Sequence, residues 1–261
     1  MATVTSRDGT RIAFEKAGAG PVLVLVDAAG GFRGFGPMGS LAERLADRFT
    51  AVTYDRRGRG ESGDTPPYAV EREIEDLAAV IEASGGRAFV HGFSSGAVLG
   101  LLGAAAGLPI SMLSLLEPPI ILDQPPQDDE GDLAAEIDEL VAAGRRADAV
   151  EHFHRSIGVP EEITAGMRQA PFFPMLEGIA HTLAYDSRIT PAVSRDTLRS
   201  VTVPALVVNS ESSDDRLRGW AEGVAAALPR GRHLALKGDW HGVPDDVLVP
   251  ALADFFGGGA A

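Results

Sequence analysis

A serine stands at the centre of the run Gly92-Phe93-Ser94-Ser95-Gly96. β-Forming residues at 88–90 precede this run, and small and aliphatic residues at 97–108 follow it with the composition of a helix. A glycine two positions before and two after Ser94 lets strand and helix pass close together, which presents the hydroxyl at the tip of a tight turn. Backbone N–H groups at the start of the helix then face any developing oxyanion. The pattern predicts a nucleophilic Ser94, and the alternative is a Gly/Ser-rich turn without chemistry.

The composition excludes several classes of protein. The chain has 261 residues, 45% of them apolar, which suits one large α/β domain with a substantial core. A formal net charge of −14 disfavours nucleic acids and anionic membranes as partners. The absence of cysteine excludes disulfides, thiol catalysis and cysteine–zinc sites. No secretory leader and no apolar span of about 20 residues is evident, so we expect a cytoplasmic protein with a small-molecule substrate. The sequence does not indicate an oligomeric state.

The elements that must position Ser94 alternate between strands and helices. Strands are predicted at 2–5, 10–14, 21–26, 50–54, 88–90 and 111–116, and an amphipathic helix at 70–83. The alternation predicts a doubly wound, mostly parallel β-sheet with helices on both faces. Strand signals disappear between 118 and about 200, where helical patterns replace them, and return at 205–208. We therefore predict a core at 1–117 and 201–256, a helical lid at 118–200 inserted after the sixth strand, and a disordered tail at 257–261.

Three motifs, in this order, resemble the α/β-hydrolase superfamily, and in particular its lidded, esterase-like members. The first is the serine turn at 92–96, and the second is the loop 54–62, Tyr-Asp-Arg-Arg-Gly-Arg-Gly-Glu-Ser, which resembles the family's D-x-R-G-x-G-x-S loop. The third is Gly238-Asp239-Trp240-His241-Gly242, which resembles the loop that carries the catalytic histidine. The resemblance implies the α/β-hydrolase fold and serine chemistry without a cofactor or metal.

The resemblance makes His241 the base that activates Ser94, because the histidine follows the serine in the chain order of this fold. The other histidines have simpler interpretations. His91 is expected as a core residue, and His233 as a structural residue of a strand. The remaining three fall in the predicted lid, at His152, His154 and His181, and no spacing among the six makes a metal site.

The third member of a triad is open to two interpretations. Members of the superfamily usually have an aspartate after the strand at 205–208, and that slot falls near Ser213, with Asp214 just beyond it. Some lidded members instead place the acid after the strand that follows the serine helix, which corresponds to Glu117 here. We prefer Glu117 and keep Asp214 as the alternative. The simpler interpretation of Asp214 is an acid favoured at a helix N-terminus.

The resemblance places the oxyanion-binding N–H groups on Ser95 and Ala29. Where the family usually has His-Gly, this chain has Asp27-Ala28. A carboxylate there would repel a developing oxyanion, so Asp27 is expected to be turned into the fold as a structural residue, or to have a raised pKa and a role toward substrate. The candidate pocket residues are Asp27, Phe93, Phe172, Phe173 and Trp240, of which the lid aromatics are equally compatible with a lid core.

The leading functional hypothesis is a serine hydrolase that cleaves an ester or lactone of a small to medium, partly apolar molecule. One alternative is a non-hydrolytic biosynthetic enzyme on the same scaffold, carrying out a lyase, C–C cleavage, acyl-transfer or cyclisation step. The other alternative is a non-catalytic ligand-binding receptor, which the presence of both Ser94 and His241 disfavours.

Overall fold

The computed structural model describes residues 1–122 and 132–258. The strands form one eight-stranded sheet in the order β1-β2-β4-β3-β5-β6-β7-β8. They are β1 (Ala2–Thr5), β2 (Arg11–Ala17), β3 (Val22–Val26), β4 (Thr50–Tyr54), β5 (Ala88–Phe93), β6 (Ile110–Leu116), β7 (Ala205–Ser210) and β8 (Gly231–Leu236). β1 and β2 pair antiparallel, β2 and β4 also pair antiparallel, and the other pairs are parallel. The mostly parallel sheet predicted from the sequence is confirmed.

Each central strand is buried on both faces, which explains its continuous apolar sequence. In β3, Leu23 and Leu25 contribute to the cluster on one face, whereas Val24 and Val26 contribute to the cluster on the other. This alternation follows from the two-residue period of a β-strand. The helices lie on both faces and carry the apolar stripes that complete these two clusters. The helices of the core are α1 (Met38–Leu45), α2 (Val70–Ser84), α3 (Ser95–Ala105), α10 (Asp215–Ala227) and α11 (Asp245–Gly257).

Within the described residues, the segment between β6 and β7 contains helices and their connections and no β-strand. Its helices are α4 (Leu133–Ala142), α5 (Arg146–Ser156), α6 (Glu161–Arg168), α7 (Phe173–Gly178), α8 (Thr182–Ile189) and α9 (Arg195–Ser200), with a short 3₁₀ turn at Thr190–Ala192. We call this segment the helical insertion. Side chains of α4, α5, α7 and α8 form a third apolar cluster, and Ala29 and Phe35 from the loop after β3 pack against it. The insertion therefore lies over the carboxyl end of β3.

The predicted disordered tail at 257–261 needs a correction at its first residue. Helix α11 continues through Gly257, because Phe256 is buried against the sheet and holds the last turn in place. Residues 259–261 lie outside the described part of the chain, as do residues 123–131 of the predicted lid. None of the helices in the described ranges is long and apolar enough to cross a membrane.

Candidate functional site

Ser94 occupies the turn between β5 and α3 in a backbone conformation that side chains seldom adopt, with a φ of 52°. The glycines on either side are required by close backbone contacts. A Cβ atom on Gly92 would lie 2.3 Å from the carbonyl oxygen of Gly96, and a Cβ atom on Gly96 would lie 2.4 Å from the carbonyl oxygen of Val26. The G-x-S-x-G spacing is thus a consequence of a strand and a helix that nearly touch.

A chain of hydrogen bonds joins Ser94, His241 and Glu117. The Ser94 Oγ atom lies 3.1 Å from Nε2 of His241, and Nδ1 of the same ring lies 2.7 Å from Oε2 of Glu117. Because a carboxylate only accepts hydrogen bonds, the proton of the neutral ring is placed on Nδ1. Nε2 then presents its lone pair to the Ser94 hydroxyl, which is the arrangement that a general base needs.

Glu117, rather than Asp214, contacts the histidine. Its side chain is buried at the end of β6, where Oε1 accepts hydrogen bonds from the Ser210 N–H (2.8 Å) and the Ser213 hydroxyl (2.5 Å). Ser213 stands in the slot where the superfamily usually has its aspartate, and here its hydroxyl braces the glutamate. Asp214 caps α10 instead, accepting a hydrogen bond from the Leu217 N–H at 3.0 Å.

The same three side chains stand on unusual backbone. Within the described residues, the non-glycine residues with positive φ are Ser94, Glu117 and His241, at 52°, 46° and 54°. Such conformations cost of order 1–3 kcal/mol each and persist only where surrounding contacts hold them, and they concentrate at functional sites. This coincidence is an observation independent of the hydrogen bonds that join the three side chains.

Two backbone N–H groups beside Ser94 are available to bind an oxyanion. The N–H groups of Ser95, the first residue of α3, and Ala29, in the loop after β3, donate no hydrogen bond to any described residue. The close approach of Gly96 to the carbonyl oxygens of Val26 and Asp27 brings this loop and the serine turn together. The role of these two N–H groups as oxyanion donors stays a prediction.

Three fully buried arginines follow β4, and the sequence analysis did not single out their partners. Arg56 makes a bidentate pair with Glu73 of α2 (2.7 and 2.8 Å) and reaches Asp186 of α8 at 2.7 Å. Arg57 pairs with Asp76, also on α2. Two acids on the buried stripe of one helix, together with an arginine-rich loop, were the signal that could have predicted these pairs.

The arginines also hold the loop after β3. Arg59 donates to the carbonyl oxygens of Ala28 (2.7 Å) and Gly31 (3.2 Å), and its other nitrogen lies 2.6 Å from Oδ2 of Asp186. The Ser95 hydroxyl donates to Oδ1 of the same aspartate at 2.7 Å. Burial acts to raise the pKa of Asp186, but Arg56 and Arg59 outweigh it and hold that pKa below its usual range. One carboxylate of the insertion thus connects both segments that carry the free N–H groups.

A cavity of about 310 Å³ lies between the loop after β3 and the helical insertion. Its wall is mostly apolar, and the predicted pocket residues Asp27, Phe93 and Phe172 belong to it. Phe173 does not, because neighbouring residues of a helix point about 100° apart and its ring is buried in the core of the insertion. Trp240 is also absent from the wall, and its ring packs beside His241 with centroids 5.4 Å apart.

Among the described residues, no other histidine hydrogen-bonds to Ser94, Glu117 or His241. Burial lowers the pKa of His91 to about 3, so the ring is neutral, and its Nδ1 lies 3.0 Å from the Ser114 hydroxyl. His233 contacts Asn209 at 2.6 Å, and His154 lines the cavity. Within residues 1–122 and 132–258, no group of three or more histidine, aspartate or glutamate side chains is arranged to hold a metal ion.

Asp27 is buried, with 3% of its surface exposed, and lines the same cavity. Its Oδ1 accepts a hydrogen bond from the Ala28 N–H at 3.1 Å. Burial raises the pKa of Asp27 to about 7, an effect that the positive charges of Arg59 and Arg56 reduce and that Asp55 reinforces. The carboxyl therefore holds its proton well above the pH at which an ordinary aspartate loses it.

The raised pKa predicts a pH-dependent gain in stability for Asp27→Asn. The unfolded chain ionises this aspartate near pH 4, whereas the folded chain keeps the proton up to about pH 7. Stability contributed by the neutral acid is thus present at low pH and is lost as the pH rises from 4 through 7. Asparagine cannot ionise, so we expect the variant's Tm, relative to the wild type, to rise by about 5 °C between pH 4.5 and pH 8.

Thermal unfolding followed by circular dichroism at both pH values measures this difference. The exposed Asp246→Asn variant is the control for the loss of one negative charge. A Tm difference for Asp27→Asn that is the same at both pH values would contradict the raised pKa.

The chain is similar to known hydrolases. Residues 22–251 match the family described as "Alpha/beta hydrolase family". An α/β hydrolase from Sphaerobacter thermophilus superimposes with a TM-score of 0.90 at 47% identity, covering 98% of this chain and 100% of that one. A malate-bound thermophilic esterase from Thermogutta terrifontis superimposes with a TM-score of 0.77 at 21% identity, covering 100% and 99%, which shows a shared fold alone.

A curated relative from Bacillus subtilis, named "Uncharacterized hydrolase YraK", is 36% identical over 97 residues. That alignment covers 36% of this chain and 35% of the relative, so it spans about a third of the relative's length. The family match is far longer, since it extends from the start of β3 to within α11 and includes the serine turn, the arginine loop and the histidine loop. The chain therefore belongs to the α/β-hydrolase family.

Proposed function

We propose that the protein is a serine hydrolase that cleaves a carboxylic ester or lactone of a small to medium, partly apolar molecule. The observation that carries the proposal is the hydrogen-bonded chain from Ser94 Oγ through His241 to Glu117, with distances of 3.1 and 2.7 Å. A serine hydroxyl is a weak nucleophile until a base takes its proton. In these hydrogen bonds His241 is the base, and Glu117 is the acid that orients it.

In the first half of the proposed reaction, Nε2 of His241 takes the Ser94 proton while Oγ forms a bond to the substrate carbonyl carbon. The N–H groups of Ser95 and Ala29 donate to the oxyanion that develops. Glu117 stabilises the positive charge on the imidazole ring. Collapse of the tetrahedral intermediate breaks the bond to the alcohol oxygen, which takes its proton from the imidazolium, and leaves an acyl group on Ser94.

In the second half, a water molecule loses a proton to His241 and attacks the acyl carbon. The same two N–H groups hold the second oxyanion, and the Ser94 oxygen leaves with the proton from the imidazolium. The acid product is released and the three side chains return to their starting protonation. The apolar wall of the cavity beside Phe93 supports a partly hydrocarbon substrate.

A fluorophosphonate probe tests the proposal. We expect it to label the wild-type protein stoichiometrically on Ser94, as read by intact mass and peptide mapping, because an activated serine attacks phosphorus as it attacks a carbonyl carbon. Ser94→Ala and His241→Ala should remain unlabelled, and p-nitrophenyl ester hydrolysis should fall at least about 10⁴-fold in each.

The exposed Ser212→Ala in the loop after β7 is the matched control and should label like the wild type. Folding of each variant is checked by circular dichroism. A folded wild-type protein that does not react with the probe would contradict the serine-hydrolase proposal and would favour a non-hydrolytic enzyme or a receptor.

A further inference from the structure

The cavity lined by Phe93, the residue before Ser94, contains polar atoms that the proposed mechanism does not use. Its wall is hydrocarbon for the most part, with Val150, Met167 and Leu176 among the residues that the insertion contributes. Two titratable side chains interrupt this wall, Asp27 from the loop after β3 and His154 from α5. One lies on the sheet side of the cavity and the other on the helical insertion, so a ligand in the cavity lies between the two side chains.

Neither side chain is fully satisfied by the protein. Among the described residues, the Asp27 carboxyl receives one hydrogen bond, from the Ala28 N–H to Oδ1. The Nδ1 atom of His154 is buried and has no partner in the described part of the chain. Buried polar atoms are nearly always hydrogen-bonded in folded proteins, so atoms such as these point to a ligand group.

The backbone around Asp27 is shaped to accommodate its carboxyl group. A Cβ atom on Gly31 would lie 2.4 Å from Oδ1, and one on Gly36 would lie 2.5 Å from Oδ2. The carboxyl thus lies between two glycines, and any side chain at either position would displace it. Oδ2 accepts no hydrogen bond from any described residue.

We propose that Asp27 and His154 form a polar recognition site within the cavity, and that the hydrocarbon group bound there carries a neutral keto or hydroxyl oxygen. This inference rests on the proposed hydrolase function and names its substrate class, an oxygenated, uncharged ester or lactone. Asp27 binds the oxygen and sets specificity.

The chemistry of the site selects a neutral oxygen over a charged group. With Oδ1 already accepting from the Ala28 N–H, a protonated carboxyl presents its O–H on Oδ2, and its complement is an acceptor oxygen. The groups around Asp27 include the cations Arg59 and Arg56 and the anion Asp55, with His154 across the cavity, and burial outweighs them and favours the neutral acid below about pH 7. Burial likewise lowers the pKa of His154 against the opposing charge of Glu151, which favours a neutral imidazole.

Two pairs of matched substrates test the inference. One pair differs in the acyl group and the other in the alcohol group, so that the test covers both sides of the scissile bond. The acyl pair is p-nitrophenyl pentanoate and p-nitrophenyl 4-oxopentanoate, and the alcohol pair is pentyl acetate and 4-oxopentyl acetate, followed by pH-stat. At pH 6.5 we expect the keto compound to have a roughly tenfold higher kcat/KM in at least one pair, the effect of one additional buried hydrogen bond. A ratio of two substrates cancels the pH effects that both reactions share.

The variants separate recognition from a structural role of Asp27. Asp27→Leu has the same branching but no polar atoms, and should reduce the preference to within about twofold while fluorophosphonate labelling of Ser94 persists. Asp27→Asn keeps a donor and an acceptor, so it should retain the preference. A loss of activity that is equal for both members of a pair would indicate that Asp27 only shapes the loop, and would overturn the inference.

The pH profile gives a second readout should Asp27→Leu fail to fold. The wild-type preference should decline above pH 7 as the carboxyl loses its proton, whereas the preference of Asp27→Asn should be flat. Equal rates for both members of both pairs, in a wild type that the probe labels, would contradict the inference and leave the hydrolase proposal intact. A preference for the p-nitrophenyl ester of 5-(trimethylammonio)pentanoate over p-nitrophenyl pentanoate that grows with pH would also overturn the inference, because an ionised Asp27 would then be the binding form.

Discussion

Replacing Glu117 by Gln lowers kcat for a p-nitrophenyl ester by about 10⁴-fold, whereas replacing Asp214 by Asn leaves kcat within about threefold of the wild type. The glutamine amide oxygen takes the place of Oε1 and keeps the hydrogen bonds from the Ser210 N–H and the Ser213 hydroxyl. The amide NH₂ group then faces Nδ1 of His241, which must accept instead of donate. The ring proton moves to Nε2, and the ring no longer takes the proton of Ser94.

The Asp214→Asn variant is the matched control because its carboxylate caps α10 and does not touch the histidine. Asparagine caps a helix as well as aspartate does, so the free energy of unfolding should change by a few tenths of a kcal/mol. Steady-state kinetics at saturating ester, with circular dichroism as a check of folding, provide the comparison. If Glu117→Gln kept more than a tenth of wild-type kcat, or if Asp214→Asn lost most of it, the triad proposed here would be wrong.

The choice between these two acids shows where the sequence stops being informative. Glu117 and Asp214 both follow strands at the same edge of the sheet, and either is compatible with the chain order of the family. What decides the contact is the backbone turn at Glu117, with a φ of 46°, together with the Ser213 hydroxyl that occupies the usual slot. The serine at 213 is visible in the sequence, but the backbone turn at Glu117 leaves no signature in residue type or spacing.

Strands buried on both faces were predictable, because an uninterrupted apolar run such as 22–26 has no other stable place in a protein of this size. The end of strand β2 was not predictable from the sequence. The sequence predicts a strand at 10–14, but β2 continues to Ala17 because Lys16 and Ala17 pair with Val52 and Ala51 of β4. Pairing with a distant strand overrides local propensity at strand ends.

The arginine loop was partly predictable. Ion pairs near the cleft follow from three arginines in nine residues, but Asp186 lies 130 positions from Arg56 in sequence, in a helix whose pattern does not mark it. Of the five acids on α2, Glu73 and Asp76 are buried, whereas Glu71, Glu75 and Glu82 are not. A carboxylate inside an apolar stripe is a signal only when its cationic partner is already known.

Replacing Arg56 by Met should be the most destabilising single change to this network, costing about 3–5 kcal/mol in the free energy of unfolding. Arg56 is fully buried and is the direct link between Glu73 of the core and Asp186 of the insertion. Methionine fills much of the volume but, among the described residues, leaves Glu73 with only the Tyr68 hydroxyl, at 3.0 Å, as a side-chain partner. The cost arises chiefly from the buried carboxylates that lose their cation, and less from the lost attraction itself.

Two further variants separate that cause from simple loss of packing. Arg72→Met removes a partly exposed arginine from α2, the helix that carries Glu73, where the pair with Glu75 at 2.8 Å should contribute less than about 1 kcal/mol. The double variant Arg56→Met with Glu73→Gln removes the cation and one stranded charge together, so its urea midpoint should lie above that of Arg56→Met alone. A double variant no more stable than the single one would mean that the uncompensated charge is not the source of the loss, and that the arginine acts through packing.

Because Arg56 and Arg59 share Asp186, which also accepts from the Ser95 hydroxyl, the same destabilisation should loosen the serine turn and lower ester hydrolysis in the fraction that remains folded.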